Sequence, residues 1–354
     1  MKRMNCINKA ISKLVITVLT ACLFLTGCSV NNPEEVQEKD NEITRPQIGM
    51  CFDSFIIERW QRDRDVFVSK CKELGADVNV QNANGDIEVQ KQQIEYFINK
   101  GMDAIVIVCI DSDSLSESVQ KAKDAGIKVI AYDRLINNAD IDLYISFDNA
   151  EVGTMMGRTL VSNGIKDGNV IMIGGSLTDN NVSLVETAFR KVMNENNVNI
   201  IDATHCDGWK AEIASDYIYD NFDLVEQADA IMCGNDNLAS QVVRVLSEKR
   251  LAGKIMITGQ DADLEACQRI VEGTQIMTVY KPVEKLAQRA AECAVSMANG
   301  EEITGDDVST INNKSAWVPY VKLEPVCVTK YNIDSAVIST GFHLKEEVYL
   351  NVRK

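Results

Sequence analysis

Short apolar runs alternate with longer amphipathic stretches along most of this chain. "QIGMCFD" (47–53), "DVNVQNA" (77–83), "DAIVIVCI" (103–110), "IKVIAYD" (127–133) and "LYISFDN" (143–149) have strand length and are rich in branched and aromatic residues. The pattern resumes with "NVIMIGG" (169–175), "NIIDATHCD" (199–207), "AIMCGND" (230–236), "IMITGQD" (255–261) and "QIMTVYK" (275–281). Helical periodicity fills stretches such as 86–100, 115–125, 183–196 and 284–298, and glycine often closes the helical stretches, as at Gly101 and Gly126. This alternation predicts parallel sheets covered by helices on both faces. A single sheet of about ten strands is at the limit of ordinary width. Two consecutive α/β lobes are therefore expected, with the break near Phe147–Asn149.

The strand candidates end in polar groups: Asp53, Asp133-Arg134, Asn235-Asp236, Asp261 and Lys281. In open parallel sheets ligands bind beyond the carboxyl ends of the strands. One such Asp is explained equally well as a helix N-cap. Several at one topological level, on two facing lobes, point to a cleft. Asp, Asn, Arg and Lys, with Trp60 and Trp209 nearby, suit a neutral polyhydroxylated ligand. Carboxylates and amides pair with vicinal hydroxyls, arginine offers a planar fork of donors, and indole covers the C–H side of a sugar ring.

The run "ERWQRDRD" (58–65) has two readings. On a helix, Glu58–Arg62 and Arg59–Asp63 form surface ion pairs, and Trp60, Phe67, Val68, Cys71 and Leu74 form a core stripe. Alternatively, Arg59 and Trp60 face a ligand.

The ends add a location. Basic residues precede the 12-residue apolar run "LVITVLTACLFL", too short to span a bilayer and suited to an export signal. It leads into "LTGC", which resembles a bacterial lipobox and implies cleavage before Cys28 and acylation of that residue. Residues 28–45 then read as a solvated tether. The formal charge of −16 becomes −20 once the four basic residues of the leader are removed, which disfavours nucleic acid and anionic lipid as partners.

No GxSxG, HExxH, GxGxxG or GxxxxGK[ST] pattern occurs. A carboxylate pair such as Asp133 and Asp179 could in principle act in glycoside cleavage, but carboxylates beside arginine and amides stay ionised, which suits binding rather than acid catalysis. The two histidines lie near no cysteine pair with zinc spacing, so no metal or cofactor is expected. The eight cysteines after Cys28 are scattered, and Cys109, Cys233 and Cys327 lie in apolar strands as small hydrophobes do.

Taken with "IGMCFDSFIIERWQRDRDVFV", "GGSLTDNN", "CDGW", "GNDNLA" and "AVISTGFH", these motifs resemble the D-xylose-binding proteins of ABC transport, within the ribose/galactose-type periplasmic binding proteins, from about residue 46 to 344. The resemblance implies two Rossmann-like lobes joined by a three-crossover hinge, with crossovers near Ser146–Asn149, Tyr280–Pro282 and Trp317–Tyr320. The first lobe would hold 46–147 and 282–317, and the second 148–281 and 318–354. It implies ligand contacts from Arg59, Trp60, Asp133, Arg134, Asp179, Asn181, Trp209, Asn235, Asp261 and Lys281. The implied partners of the monomer are D-xylose or a related pentose and an ABC permease. A sensory role toward a membrane histidine kinase is the alternative; a sugar-processing enzyme and a DNA-binding repressor are the other classes, the last lacking its N-terminal DNA-binding segment. One departure stands out: "CFDSFII" is more apolar before "ERW" than the family pattern. Trp317 is expected to pack at the hinge.

Overall fold

The computed structural model describes residues 45–352. The export signal, Cys28 and nearly all of the tether lie outside the described residues.

The described chain forms two sheets. In the first, β1 (Gln47–Phe52), β2 (Asp77–Asn82), β3 (Ala104–Ile107), β4 (Lys128–Tyr132) and β5 (Leu143–Phe147) run parallel in the order β2-β1-β3-β4-β5. In the second, β6 (Asn169–Gly174), β7 (Asn199–His205), β8 (Ala230–Cys233), β9 (Met256–Gln260) and β10 (Met277–Tyr280) repeat that order as β7-β6-β8-β9-β10. β1, β3, β4 and β5 are buried along nearly their whole length, because helices cover both faces.

On one face of the first sheet α1 (Arg59–Glu73) packs against a helix from far along the chain, Val283–Ala298. The other face carries α2 (Ile87–Lys100) and α3 (Ser116–Asp124). Asp86 starts α2 by accepting from the amides of Glu88 and Val89, and Gly101 ends it in the left-handed conformation. In the second lobe α4 (Asn149–Ser162) and α5 (Asn180–Glu195) share one face. They approach closely at Gly153, where a Cβ would stand 2.0 Å from the Val185 carbonyl oxygen. The opposite face carries α6 (Ala211–Asp220), α7 (Asp236–Glu248) and α8 (Leu264–Glu272).

The chain passes from sheet to sheet after Phe147, after Tyr280 and between Leu323 and Val326. The third passage differs from the expected Trp317–Tyr320. The strand β12 (Trp317–Leu323) belongs wholly to the first sheet, parallel to β5 from Tyr320↔Tyr144 to Leu323↔Phe147 and antiparallel to β11 (Val308–Asn312). Tyr320 holds it there by stacking on Tyr144 at 4.7 Å and donating to the Phe147 carbonyl at 2.9 Å. Only β13 (Val326–Thr329) joins the second sheet, antiparallel to β10. Trp317 is 71% exposed at the outer end of β12, so it does not pack at the hinge.

The C-terminal segment braces the second lobe. His343 is buried and its Nε2 donates to the Ala262 carbonyl at 2.8 Å. Burial holds its pKa below the usual 6.5. The unfolded chain therefore takes up the proton first, and this residue lowers stability as pH falls below about 6.5. His343→Gln, which keeps a donor but does not titrate, is expected to melt with a shallower loss between pH 7 and pH 5 than the unaltered protein. Parallel slopes in thermal melts would contradict this.

Candidate functional site

The ends of the parallel strands in both lobes meet around one cavity. Its lining is Ile57, Arg59, Trp60, Asp133, Arg134, Asp179, Asn181, Trp209, Asn235, Gln260, Asp261 and Lys281. All ten residues singled out from the sequence are in this set, together with Ile57 and Gln260, which were not. Nothing in the local pattern marks Gln260 apart from its place before Asp261. Ile57 belongs to the apolar stretch before "ERW".

Asp133 sits at the centre. It follows β4 with φ 63°, a left-handed conformation that costs a non-glycine residue energy. Its carbonyl accepts from Tyr144 Oη (2.9 Å), Ser146 Oγ (2.7 Å) and Asn181 Nδ2 (3.0 Å), and its amide donates to Ile145. These bonds hold the unfavourable backbone in place. The carboxylate meets Arg59 Nη1 at 2.9 Å and Asn181 Nδ2 at 3.2 Å. Burial alone would raise its pKa, but the charges of Arg59, Lys281 and Arg134 outweigh burial and hold the carboxyl below its usual range.

Arg59 and Asp63 were expected as a surface ion pair, yet both are buried. The guanidinium grips Asp63 through Nε (3.1 Å) and Nη2 (2.9 Å), while Tyr132 donates to the same carboxylate. Arg62 pairs with Glu284 at 3.0 Å rather than with Glu58. The buried stripe of α1 runs through Trp60, Asp63, Phe67 and Cys71, leaving Leu74 exposed, because the cleft and the Val283–Ala298 helix together surround its first turns. Trp60 is 2% exposed within the core, as the helical-stripe reading expects, with the Arg59 guanidinium 4.5 Å from its ring, and it also stands on the cavity wall.

Arg134 bridges the lobes. Its Nη1 donates to Asp53 at 2.8 Å, within the first lobe. Its Nε lies 2.8 Å from Asp179 Oδ2 of the second, close enough for an ion pair though misaligned for a hydrogen bond. Burial raises the pKa of both carboxyls, and the Arg134 charge opposes that rise. A second cross-lobe set lies alongside. Ser112 N donates to the Thr178 carbonyl (2.9 Å), Thr178 Oγ1 to the Ile110 carbonyl (3.1 Å), and Asn180 N to Ser112 Oγ (3.1 Å). A serine of one lobe thus satisfies a free amide at the start of α5 in the other.

The capping reading of the strand-end residues holds at two of them, which also stand on the cavity wall. Asp179 caps α5 by accepting from Asn181 N at 2.9 Å, and Asn235 caps α7 by accepting from Leu238 N at 2.9 Å, while both line the cavity. Asp261 (φ 98°) and Ala262 (φ 57°) form a second left-handed segment. Buried Asp236 holds it by accepting from Asp263 N, Thr278 and Gln275, and His343 holds it at the Ala262 carbonyl. Lys281 Nζ stands 3.4 Å from Asp261.

Each buried cation of the cavity already faces a carboxylate, so none is left over for an anion. Several polar atoms on the wall make no hydrogen bond within the protein: Trp60 Nε1, Trp209 Nε1, Arg134 Nη2, Gln260 Oε1 and Asp261 Oδ1, the last facing Lys281 only as an ion pair. Buried donors and acceptors together fit an uncharged ligand that is itself both donor and acceptor. Among the described residues, no group of His, Cys, Asp and Glu is placed to hold a metal ion, and no helix is long and apolar enough to cross a membrane.

Comparison with known proteins agrees with this geometry. Residues 48–302 match the family model described as a periplasmic binding protein domain. The chain is 44% identical over 341 residues to the D-xylose-binding periplasmic protein of Escherichia coli, covering 95% of this chain and 99% of that one. It is 41% identical over 338 residues to the D-xylose-binding periplasmic protein of Haemophilus influenzae, covering 94% and 99%. In structure it is similar to an ABC transporter solute-binding protein of Clostridium phytofermentans with bound β-D-glucose, at 27% identity and a TM-score of 0.77, covering 85% of this chain and 99% of that one.

Trp209 is held by a close backbone approach. It follows β7 with φ 60°, and a Cβ on Gly175 would stand 2.2 Å from its ring. Gly175→Ala is expected to displace the indole toward the cleft and shift tryptophan emission to the red. Emission identical to that of the unaltered protein would show that the glycine is not what seats the ring.

Proposed function

The chain belongs to the periplasmic binding protein family, in its two-lobed type I form, and from that membership we propose that it captures D-xylose between its lobes outside the cytoplasm and delivers it to an ABC permease. It is a binding protein rather than an enzyme. The observation that carries the sugar reading is the cavity wall. Arg59, Trp60, Asp133, Arg134, Asp179, Asn181, Trp209, Asn235, Asp261 and Lys281 converge there from both lobes, with cations neutralised and donors and acceptors unpaired. The names of the E. coli and H. influenzae relatives support D-xylose as the sugar.

In this reading Trp60 and Trp209 cover the two faces of the ring, and the carboxylates and amides take its hydroxyls. A ligand bonded to both lobes favours the closed arrangement, since binding shifts an equilibrium only through its differential affinity for the two states. The closed lobes then present one joint surface to the permease. Cys28, acylated after cleavage of the leader, tethers the protein to the membrane.

Calorimetric titration with D-xylose, L-arabinose, D-ribose and D-glucose tests the reading. One-to-one binding with D-xylose strongest is expected; preference for another sugar would reassign the ligand and trace it to the apolar stretch before Glu58. Trp209→Ala is expected to weaken D-xylose at least tenfold, about 1.4 kcal/mol. Undiminished affinity would remove the indole from the site. Mass spectrometry of the membrane-bound protein should find two or three acyl chains on Cys28, and an unmodified cysteine there would refute the anchor.

A further inference from the structure

Gln260 ends β9 beside Asp261, and its amide is fixed in orientation. Nε2 donates to the Gly234 carbonyl at 2.5 Å. A carbonyl oxygen only accepts, so the amide's nitrogen and oxygen cannot be exchanged. That leaves Oε1 as an acceptor in a residue only 5% exposed, with no hydrogen-bond partner in the protein. The residue lines the cleft cavity. It also borders a small chamber lined by Asn181, Val182, Val185, Glu186, Trp209 and Met232. The two valines and Met232 have no donor, the Glu186 carboxylate is engaged by His205 at 2.9 Å, Asn181 Nδ2 is spent on Asp133, and Trp209 Nε1 makes no bond to the glutamine. The chamber's side chains thus leave Oε1 unmatched, and the cleft is the side from which a donor can come. Asp261 Oδ1, one residue on, is likewise without a hydrogen bond.

We propose that Gln260 is a further ligand-contacting and specificity-determining residue, whose Oε1 accepts a hydrogen bond from one hydroxyl of the bound sugar next to the hydroxyl taken by Asp261. The inference rests on the sugar-binding reading and deepens it. The carboxylates of the cavity are shared with Arg59, Arg134 or Lys281, so their acceptor strength depends on those charges. Gln260 carries no charge and answers only to the presence of a hydroxyl at the right place. An analogue without that hydroxyl leaves a buried oxygen unpaired, which penalises it strongly. The bond to Gly234, just before Asn235, also keeps this acceptor in step with the neighbouring strand end.

The test is calorimetry of the full-length protein and of Gln260→Met with D-xylose and its 2-, 3- and 4-deoxy analogues. The variant is expected to bind D-xylose about tenfold more weakly. One deoxy analogue should bind the two proteins equally, because the contact it lacks is the one the variant lacks. A uniform loss for every analogue, or no loss for D-xylose, overturns the inference and leaves Gln260 as a strut for Gly234. If the variant does not fold, a crystal structure of the unaltered protein with D-xylose decides. A sugar hydroxyl oxygen within about 3.2 Å of Oε1 supports the contact, and its absence overturns it. If the unaltered protein binds none of these sugars, the sugar reading itself falls, and the inference with it. A uniform loss on a sugar-binding protein sinks the inference alone.

Discussion

The ion pair between Arg59 and Asp133, 2.9 Å apart and sealed from water, is the contact on which the rest of the cleft depends. A buried charge without a partner is far too costly to keep, so each member requires the other. Arg59 in turn needs Asp63, Asp63 is fastened by Tyr132, and Asp133 is reached by Asn181 from the opposite lobe. Arg134 extends the chain of charges to Asp53 and Asp179. The result is a rigid polar wall at the ends of two sheets. Its left-handed backbone at Asp133 is tolerable only because Tyr144, Ser146 and Asn181 all hold the same carbonyl.

This network also decides what kind of ligand the cleft can welcome. With the cations neutralised internally, a phosphate or carboxylate would have to break existing pairs. A neutral molecule with several hydroxyls instead completes the unpaired donors and acceptors on the wall. The indoles of Trp60 and Trp209, both buried on the same wall, keep it poorly accessible to water. The groups of that wall come from both lobes.

The lobes also hold each other directly. Ser112 satisfies a further free amide at the start of α5, and Thr178 bonds back to Ile110, at the same edge where Asp179 meets Arg134. Arg62 adds a bond from α1 to the Phe342 carbonyl in the second lobe, with its guanidinium 4.2 Å from that ring. This arrangement of the lobes therefore has support of its own. The closure proposed above would add ligand contacts to this set rather than create it.

The hydrophobic pattern of the sequence was enough for the two-lobed α/β architecture, because strand and helix periodicities are local and a buried parallel strand must be apolar throughout. It also placed Asp133, Arg134, Asn235, Asp261 and Lys281 at strand ends, and resemblance of motifs completed the ten. What sequence spacing could not supply was pairing. Arg59 and Asp63 read as a solvated pair, yet they are buried, because β4 and the Val283–Ala298 helix close over them from distant parts of the chain. The third passage between lobes was placed too early for a similar reason: β12 looks like a connector until Tyr144, far away in sequence, offers Tyr320 a ring to stack on. Gln260 was invisible because a glutamine carries no local signature, and only the position of Gly234 turns its oxygen into the cavity. Periodicity is written along the chain, whereas the partner of a charge or an amide is set by which strand ends the folded sheets bring together.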